Sequence, residues 1–161
     1  MMKYFYYNTP IGKLGIVEDR GAIVSIAFGS QPIPNDMKVQ ETELLKEASK
    51  QLSAYFCGQS RSFDLPLAPQ GTDFQTNVWQ ALMRIPYGKT VSYGQIAKVI
   101  DNDKASRAVG MACNRNPLPI LIPCHRVVGA NGNLVGYAGG LDIKQYLLSL
   151  EHTFQQNLLF Y

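Results

Sequence analysis

The first chemical feature of the sequence is a cysteine next to a histidine. Cys124 and His125 lie in the segment 119–129, which reads PILIPCHRVVG. A free cysteine is most often a small buried hydrophobe, but it becomes nucleophilic when positive charge lowers its pKa or an adjacent base takes its proton. His125 and Arg126 offer both routes. If the segment is extended, adjacent side chains point to opposite faces, so a bridging water is expected between thiol and imidazole.

The remaining candidate ligands do not have the spacing of a zinc site. Cys57, Cys113 and His152 form none of the paired motifs that structural zinc requires. We therefore expect no metal site. An odd total of three cysteines without a disulfide pattern is typical of free thiols in a reducing cytoplasm.

The composition disfavours membrane and secreted proteins. Of the 161 residues, 46% are hydrophobic and 17% are charged, which is typical of a globular protein. No run approaches the roughly 18–20 consecutive apolar residues of a membrane span. Residues 1–7 lack the apolar core and cleavage site of a signal peptide. A cytoplasmic location is expected.

Residues 103–114 predict a helix with few long side chains. Its apolar stripe consists of Ala105, Ala108, Val109 and Ala112, and its other face carries Asp103, Arg107, Gly110, Met111 and Asn114. Such a surface could enter a narrow groove with Arg107 projecting, but tight packing against another helix explains the same pattern. Seven basic and two acidic residues between Arg84 and Arg126 suggest a polyanionic partner, although a solvated surface would carry the same charge.

The elements that would position these residues form two parts. Residues 3–7, 14–17 and 22–28 predict strands, and apolar residues at helical spacing predict a helix over 44–56. The proline-containing segment 65–71 predicts a linker. Beyond it we expect capping boxes at Thr72–Gln75 and Ser92–Gln95, a helix-turn-helix, a buried strand over 120–122 and a final helix over 143–150. These elements predict an α+β protein with domains over 1–70 and 71–161.

The segment 122–127, IPCHRV, resembles the active-site signature of the O6-alkylguanine-DNA alkyltransferase family. Further motifs follow the order and spacing of that family: VSY at 91–93, RAVG at 107–110, NP at 116–117, GYAGGL at 136–141 and LLSLE at 147–151. Together they cover nearly all of residues 73–151. Residues 1–65 resemble the family's N-terminal domain only in layout, with strands followed by a helix.

The resemblance implies a fold and an activity. The fold would be a small N-terminal sheet-and-helix domain with a ribonuclease-H-like layout, followed by a mostly helical C-terminal domain of helix-turn-helix or winged-helix type. The activity would be direct-reversal repair of double-stranded DNA. The methyl or other alkyl group of O6-alkylguanine, and less efficiently of O4-methylthymine, would move to Cys124 after base flipping. The protein would react once, as a self-inactivating monomer with no cofactor and no membrane partner.

The resemblance also implies roles for individual residues. Cys124 would accept the alkyl group, His125 would take its proton through a water, and Glu151 would orient His125. Asn116 would tie the recognition helix to the active-site turn. The residues implied around the flipped base are Tyr93, Val127, Tyr137, Ala138 and Gly139. The residues implied in DNA binding are Arg107, Gly110, Met111, Asn114 and Arg115, with Arg107 filling the gap in the base stack.

Two other functions remain open on the residues alone. A helix-turn-helix regulator would read DNA without chemistry, but it needs polar base-reading side chains where this helix has alanine and glycine. A thiol hydrolase would turn over repeatedly, whereas a thioether is not hydrolysed back to a thiol. The sequence also departs from the family. Asn114 replaces a basic DNA contact of some members, and the zinc ligands of certain N-terminal domains are missing.

Overall fold

The first 28 residues form three antiparallel strands joined by short turns. The strands of the sheet are β1 (Met2–Thr9), β2 (Gly12–Asp19), β3 (Ala22–Phe28) and β4 (Met37–Val39), in the order β3-β2-β1-β4. β4 is parallel to β1. Ile16 pairs with Ile26 across β2 and β3, and both are buried. In the turn between β2 and β3, Arg20 has φ 53° and Gly21 has φ 81°. Glycine adopts such positive φ values without strain, which suits Gly21 to this position.

Helix α1 (Glu43–Phe56) packs on this sheet. Thr42 caps it by accepting a hydrogen bond from the Leu45 amide at 3.1 Å. Its apolar face is buried and consists of Leu45, Ala48, Leu52, Tyr55 and Phe56. The predicted strands and helix of this part are therefore present, and β1 and β2 are longer than predicted.

The computed structural model describes residues 1–30, 32 and 34–157. The chain divides into two compact units between Gln70 and Gly71. Residues 158–161, which are the end of the predicted C-terminal domain, lie outside the described residues. Within the described part, no helix is both long and apolar enough to cross a membrane.

The C-terminal unit is mainly helical. Its elements are α2 (Asp73–Leu82), β5 (Val91–Ser92), α3 (Tyr93–Val99), α4 (Ser106–Asn114), a 3₁₀ helix (Cys124–Arg126), β6 (Val127–Val128) and α5 (Leu141–Asn157). Both predicted capping boxes are present, at the starts of α2 and α3. The buried Trp79 on α2 donates from Nε1 to the Ala112 carbonyl of α4 at 2.9 Å. Parallel pairing of Val91 with Val127 brings the start of α3 beside the 3₁₀ helix.

Helix α4 differs from the predicted helix in its start and its buried face. It begins at Ser106 and not at residue 103. Val109, Ala112 and Cys113 are buried and Ala108 is exposed, so the predicted placement of Ala108 in the apolar stripe is wrong. Alanine has too little apolar surface to determine which face of the helix is buried, and the larger apolar side chains determine it instead.

The segment 120–122 is a buried turn, so the predicted strand is wrong. Ile120 has φ 75°, and the Ile122 amide donates to the Leu118 carbonyl at 2.8 Å. The flanking prolines lack the amide donors that would extend a strand pairing. Residues 124–126 then form the 3₁₀ helix, which replaces the extended segment that we expected there.

Candidate active site

A buried turn places Cys124 at the first position of the 3₁₀ helix. The residue is only 4% exposed. Its amide donates to the Ile122 carbonyl at 2.7 Å, and the Arg126 amide donates to the Pro123 carbonyl at 3.0 Å. The backbone on both sides of the thiol is therefore held by hydrogen bonds.

Asn116 supports this turn from the end of α4. Its Nδ2 donates to the Ile122 carbonyl and its Oδ1 accepts from the Leu118 amide, both at 2.9 Å. Its side chain also hydrogen-bonds the Cys124 thiol, which lowers the pKa of that thiol. Asn116 therefore connects the end of α4 with the turn that carries the thiol.

Replacing Asn116 with alanine is expected to lower the free energy of unfolding by about 2–4 kcal/mol, because a buried amide and a buried carbonyl each lose a partner. Denaturant unfolding followed by the fluorescence of the single tryptophan measures the change. Asn114→Ala, at an exposed position of α4, is the matched control and should change the value by about 0.5 kcal/mol or less. Equal losses in the two variants would show that Asn116 does not support the turn.

Burial dominates the ionisation of the Cys124 thiol. Loss of solvation raises its pKa to about 11, and the hydrogen bond of Asn116 and the charge of Lys144 lower it by less. The sequence allows two ways to make Cys124 nucleophilic, adjacent positive charge or an adjacent base. Because the pKa of the thiol is raised, positive charge does not stabilise a thiolate here. The guanidinium of Arg126 is engaged by Glu151 instead. The thiol is protonated near neutral pH, so its reaction as a nucleophile requires a base.

His125 is fully buried and pairs with a carboxylate of α5. Its Nε2 lies 2.6 Å from Oε2 of Glu151. Burial lowers the pKa of His125, and this lowering outweighs the opposite effect of Glu151. The charges of Arg126 and Lys144 lower it further. The imidazole is therefore neutral near neutral pH.

The carboxylate of Glu151 determines which imidazole nitrogen carries the proton. Burial alone would raise the pKa of this carboxyl, but the hydrogen bonds and charges of His125 and Arg126 outweigh burial and lower it to about 2. An ionised carboxylate only accepts hydrogen bonds, so the proton of the neutral imidazole lies on Nε2. Nδ1 is buried and accepts no hydrogen bond from the described residues. Nδ1 is therefore the atom at which His125 can take up a proton.

Two buried cations lie beside these residues. The sequence indicated Arg126 only as a positive charge next to the thiol, and it did not identify Lys144. Arg126 donates from Nε and Nη2 to Glu151 at 2.9 and 3.1 Å. Lys144 is 0% exposed and donates from Nζ to the carbonyls of Val135 and Gly136 at 3.0 and 3.2 Å. The signal that could have identified both residues was their position in the sequence. Arg126 belongs to an apolar segment, and Lys144 precedes Glu151 by seven residues on the same helical face.

An apolar cavity of about 400 Å³ lies along α4. Its lining residues are Tyr93, Ser106, Arg107, Gly110, Met111, Asn114, Val135 and Gly136. The hydroxyl of Tyr93 donates to the Val135 carbonyl at 2.8 Å. Burial raises the pKa of Tyr93 to about 12, so this hydroxyl stays protonated and can donate a hydrogen bond. The cavity brings together one residue predicted for a base pocket and four predicted for DNA binding.

The other predicted site residues do not line this cavity. Val127 is fully buried in β6. Tyr137 and Gly139 are half-buried and Ala138 is exposed, in the segment between β6 and α5. Arg115 is exposed and caps the end of α4. Among the described residues, no three His, Cys, Asp or Glu side chains form a group that could hold a metal ion.

Comparisons with known proteins match both units. Residues 73–153 match the DNA-binding domain of 6-O-methylguanine DNA methyltransferase, and residues 2–69 match its ribonuclease-like domain. The chain is 54% identical to a methylated-DNA–protein-cysteine methyltransferase of Methanosarcina acetivorans, over 93% of this chain and 98% of the relative. It is 48% identical to a constitutive protein of the same name from Bacillus subtilis, over 94% and 96% of the two chains. The crystal structure of Mycobacterium tuberculosis OGT in complex with DNA superposes with a TM-score of 0.88 at 42% identity, over 94% of each chain.

Proposed function

The chain belongs to the 6-O-methylguanine DNA methyltransferase family, and on that premise we propose that it repairs DNA by transferring the alkyl group of O6-alkylguanine to its own Cys124. The observation that carries the proposal is the arrangement around the thiol. A buried, protonated Cys124 is followed by a neutral His125, whose tautomer is set by Glu151. This arrangement of nucleophile, base and orienting carboxylate is the one that activates a weak nucleophile.

The reaction begins at the thiol proton. Nδ1 of His125 takes the proton of Cys124 through a water, and Glu151 stabilises the imidazolium that forms. The sulfur forms a bond to the alkyl carbon while the bond from that carbon to guanine O6 breaks, and the electron pair of the broken bond stays on the guanine. The proton is then available to the guanine, which leaves as a neutral base. The net change converts a thiol and O6-methylguanine into a methyl thioether and guanine.

The apolar cavity supports a pocket for a flipped base. A purine that leaves the stack needs an apolar or aromatic surface to replace its neighbours. Tyr93 would donate to guanine N3 in place of the Val135 carbonyl that it contacts in the free protein. Val127 and Ala138 would contact the base through their backbones, and Tyr137 and Gly139 would form a wall.

The exposed face of α4 supports a surface for DNA. Arg107, Asn114 and Arg115 are exposed there, and Met111 is 59% exposed although it is apolar. A Cβ added to Gly110 would meet the Tyr93 ring at 3.7 Å, an ordinary contact. Packing within the protein therefore does not require glycine at this position, and a close approach of DNA would explain it. Arg107 would enter through the minor groove and occupy the gap left by the flipped base.

A cytoplasmic location and a monomeric state belong to the same proposal. The free thiols of Cys57, Cys113 and Cys124 support a reducing compartment. O4-methylthymine is proposed as a second, poorer substrate.

One protein molecule is expected to repair one lesion and to gain one methyl group, because the thioether has no hydrolytic route back to a thiol. Intact mass spectrometry after mixing with an excess of O6-methylguanine duplex measures the gain, and peptide mapping should place it on Cys124. Cys124→Ser should gain nothing, and Cys57→Ser, which removes an exposed thiol, should react like the wild type. Several lesions repaired per molecule, or a methyl group on Cys57 or Cys113, would refute the proposal.

A further inference from the structure

Glu151 receives hydrogen bonds from three different residues. Oε2 contacts Nε2 of His125 at 2.6 Å and Nη2 of Arg126 at 3.1 Å. Oε1 accepts from Nε of Arg126 at 2.9 Å and from the Gly88 amide at 3.0 Å. Each carboxylate oxygen therefore has at least two donors among the described residues, and Arg126 supplies one donor to each oxygen.

The orientation of Arg126 is fixed on its remaining side. Nη1 donates to the Ile85 carbonyl at 2.7 Å, and the guanidinium carbon lies 5.7 Å from the centre of the Tyr87 ring. The residue is buried. A planar guanidinium held by three hydrogen bonds and an aromatic ring keeps one geometry, which a lysine ammonium would not reproduce.

We propose that Arg126 is a positioning residue for alkyl transfer, which holds the Glu151 carboxylate and neutralises its charge so that His125 remains an uncharged base with Nδ1 free. The proposal rests on the proposed function, in which Nδ1 takes the thiol proton. Arg126 touches neither the thiol nor, in that scheme, the DNA base, and it acts through Glu151.

The charge state of His125 depends on the balance of charges in this buried site. Glu151 alone would favour the imidazolium form of His125, because an anion close to a histidine stabilises its positive charge. With Arg126 already paired to the carboxylate, a protonated His125 would be a second cation beside one anion. Lys144 of α5 acts in the same direction as Arg126. Helix α2, which also packs against the 3₁₀ helix, carries one charged residue, Asp73, which is exposed in its first turn.

The test is a histidine titration by NMR, for which the chain is well suited. It has two histidines, His125 and the exposed His152, which serves as an internal control. In the wild type the pKa of His125 should lie below its ordinary value, because burial and the charges of Arg126 and Lys144 lower it. In Arg126→Gln the pKa of His125 should rise by about 1–2, while the His152 titration stays unchanged. Arg126→Lys keeps the charge and should keep His125 close to its wild-type behaviour.

The rate of methyl transfer gives a second readout. In Arg126→Gln the acid side of the pH–rate profile should move to higher pH together with the His125 titration, because a protonated His125 cannot take the thiol proton. Arg126→Lys should restore the wild-type profile even if its rate is lower at every pH. A uniform loss of rate without a change in the profile, and an unchanged His125 titration in folded Arg126→Gln, would show that Arg126 is only structural.

If Arg126→Gln does not fold, a comparison of two other variants tests the proposal. Glu151→Gln retains the charge of Arg126. The double variant Arg126→Gln/Glu151→Gln removes both charges, so it leaves no buried charge without a partner. The proposal expects a higher His125 pKa in the double variant than in Glu151→Gln, and equal values would overturn it. The titration needs no DNA. If Arg126→Gln shifts the His125 titration but the wild-type protein transfers no methyl group, the proposed function is contradicted and the charge balance stands.

Discussion

Replacing His125 with alanine is expected to reduce the rate of methyl transfer near neutral pH by roughly 10²–10⁴-fold, the usual contribution of a general base. The thiol of Cys124 is buried and its pKa is raised to about 11, so almost none of it is thiolate at that pH. Without the imidazole, nothing among the residues that we propose for the reaction takes the proton. The single-turnover rate on an O6-methylguanine duplex measures the effect.

The pH dependence of this variant distinguishes a lost base from a damaged fold. Below the thiol pKa of about 11, the thiolate fraction rises about tenfold per pH unit, and the rate of His125→Ala should rise with it. His152→Ala removes the exposed histidine next to Glu151 and is the matched control, with a rate close to the wild type at every pH. A wild-type rate for His125→Ala near neutral pH would exclude the relay.

Glu151 and His125 serve one proton transfer, so their effects should not add. Glu151→Gln keeps an imidazole beside the thiol and should lose less activity than His125→Ala. The double variant should be about as slow as His125→Ala alone. DNA affinity should be nearly unchanged in all three variants, because both residues are buried and neither lies on α4.

Replacing Arg107 with alanine is expected to slow repair in duplex DNA by roughly 10–10³-fold, because extruding a base costs a few kcal/mol and Arg107 offsets part of that cost by filling the stack. Reaction with free O6-methylguanine, which requires no flipping, should change little. Comparison of the two rates for the same variant therefore isolates the flipping step.

The control for this variant removes a positive charge near α4 but keeps Arg107, the side chain proposed to fill the base stack. Lys104 is exposed and lies shortly before α4, so Lys104→Ala loses one positive charge near the same surface. Its loss on duplex DNA should be small and should disappear at high salt, as expected for one phosphate contact. Equal losses of Arg107→Ala on duplex and on free base would show that Arg107 has a structural role.

Sequence by itself determined the features that depend on neighbouring residues. The capping boxes at Thr72 and Ser92, the turn at Arg20 and Gly21 and the helix over 43–56 arise from residues a few positions apart, and all are present. The IPCHRV segment and the motifs around it led to the family in the same way, because their order in the chain is itself the signal.

Tertiary structure decided the features that depend on burial and on distant partners. The sequence shows positive charge next to Cys124, but only the fold shows that Glu151, 25 positions beyond Arg126, pairs with that charge. The burial of Lys144 and the exposure of Ala108 were not predicted for the same reason. The residues next to a lysine or an alanine in the sequence do not show how much of its side chain is exposed to water. Desolvation raises the thiol pKa and lowers that of His125, and it is a property of the assembled site. Only the surroundings of Cys124 therefore decide between activation by adjacent positive charge and activation by a base.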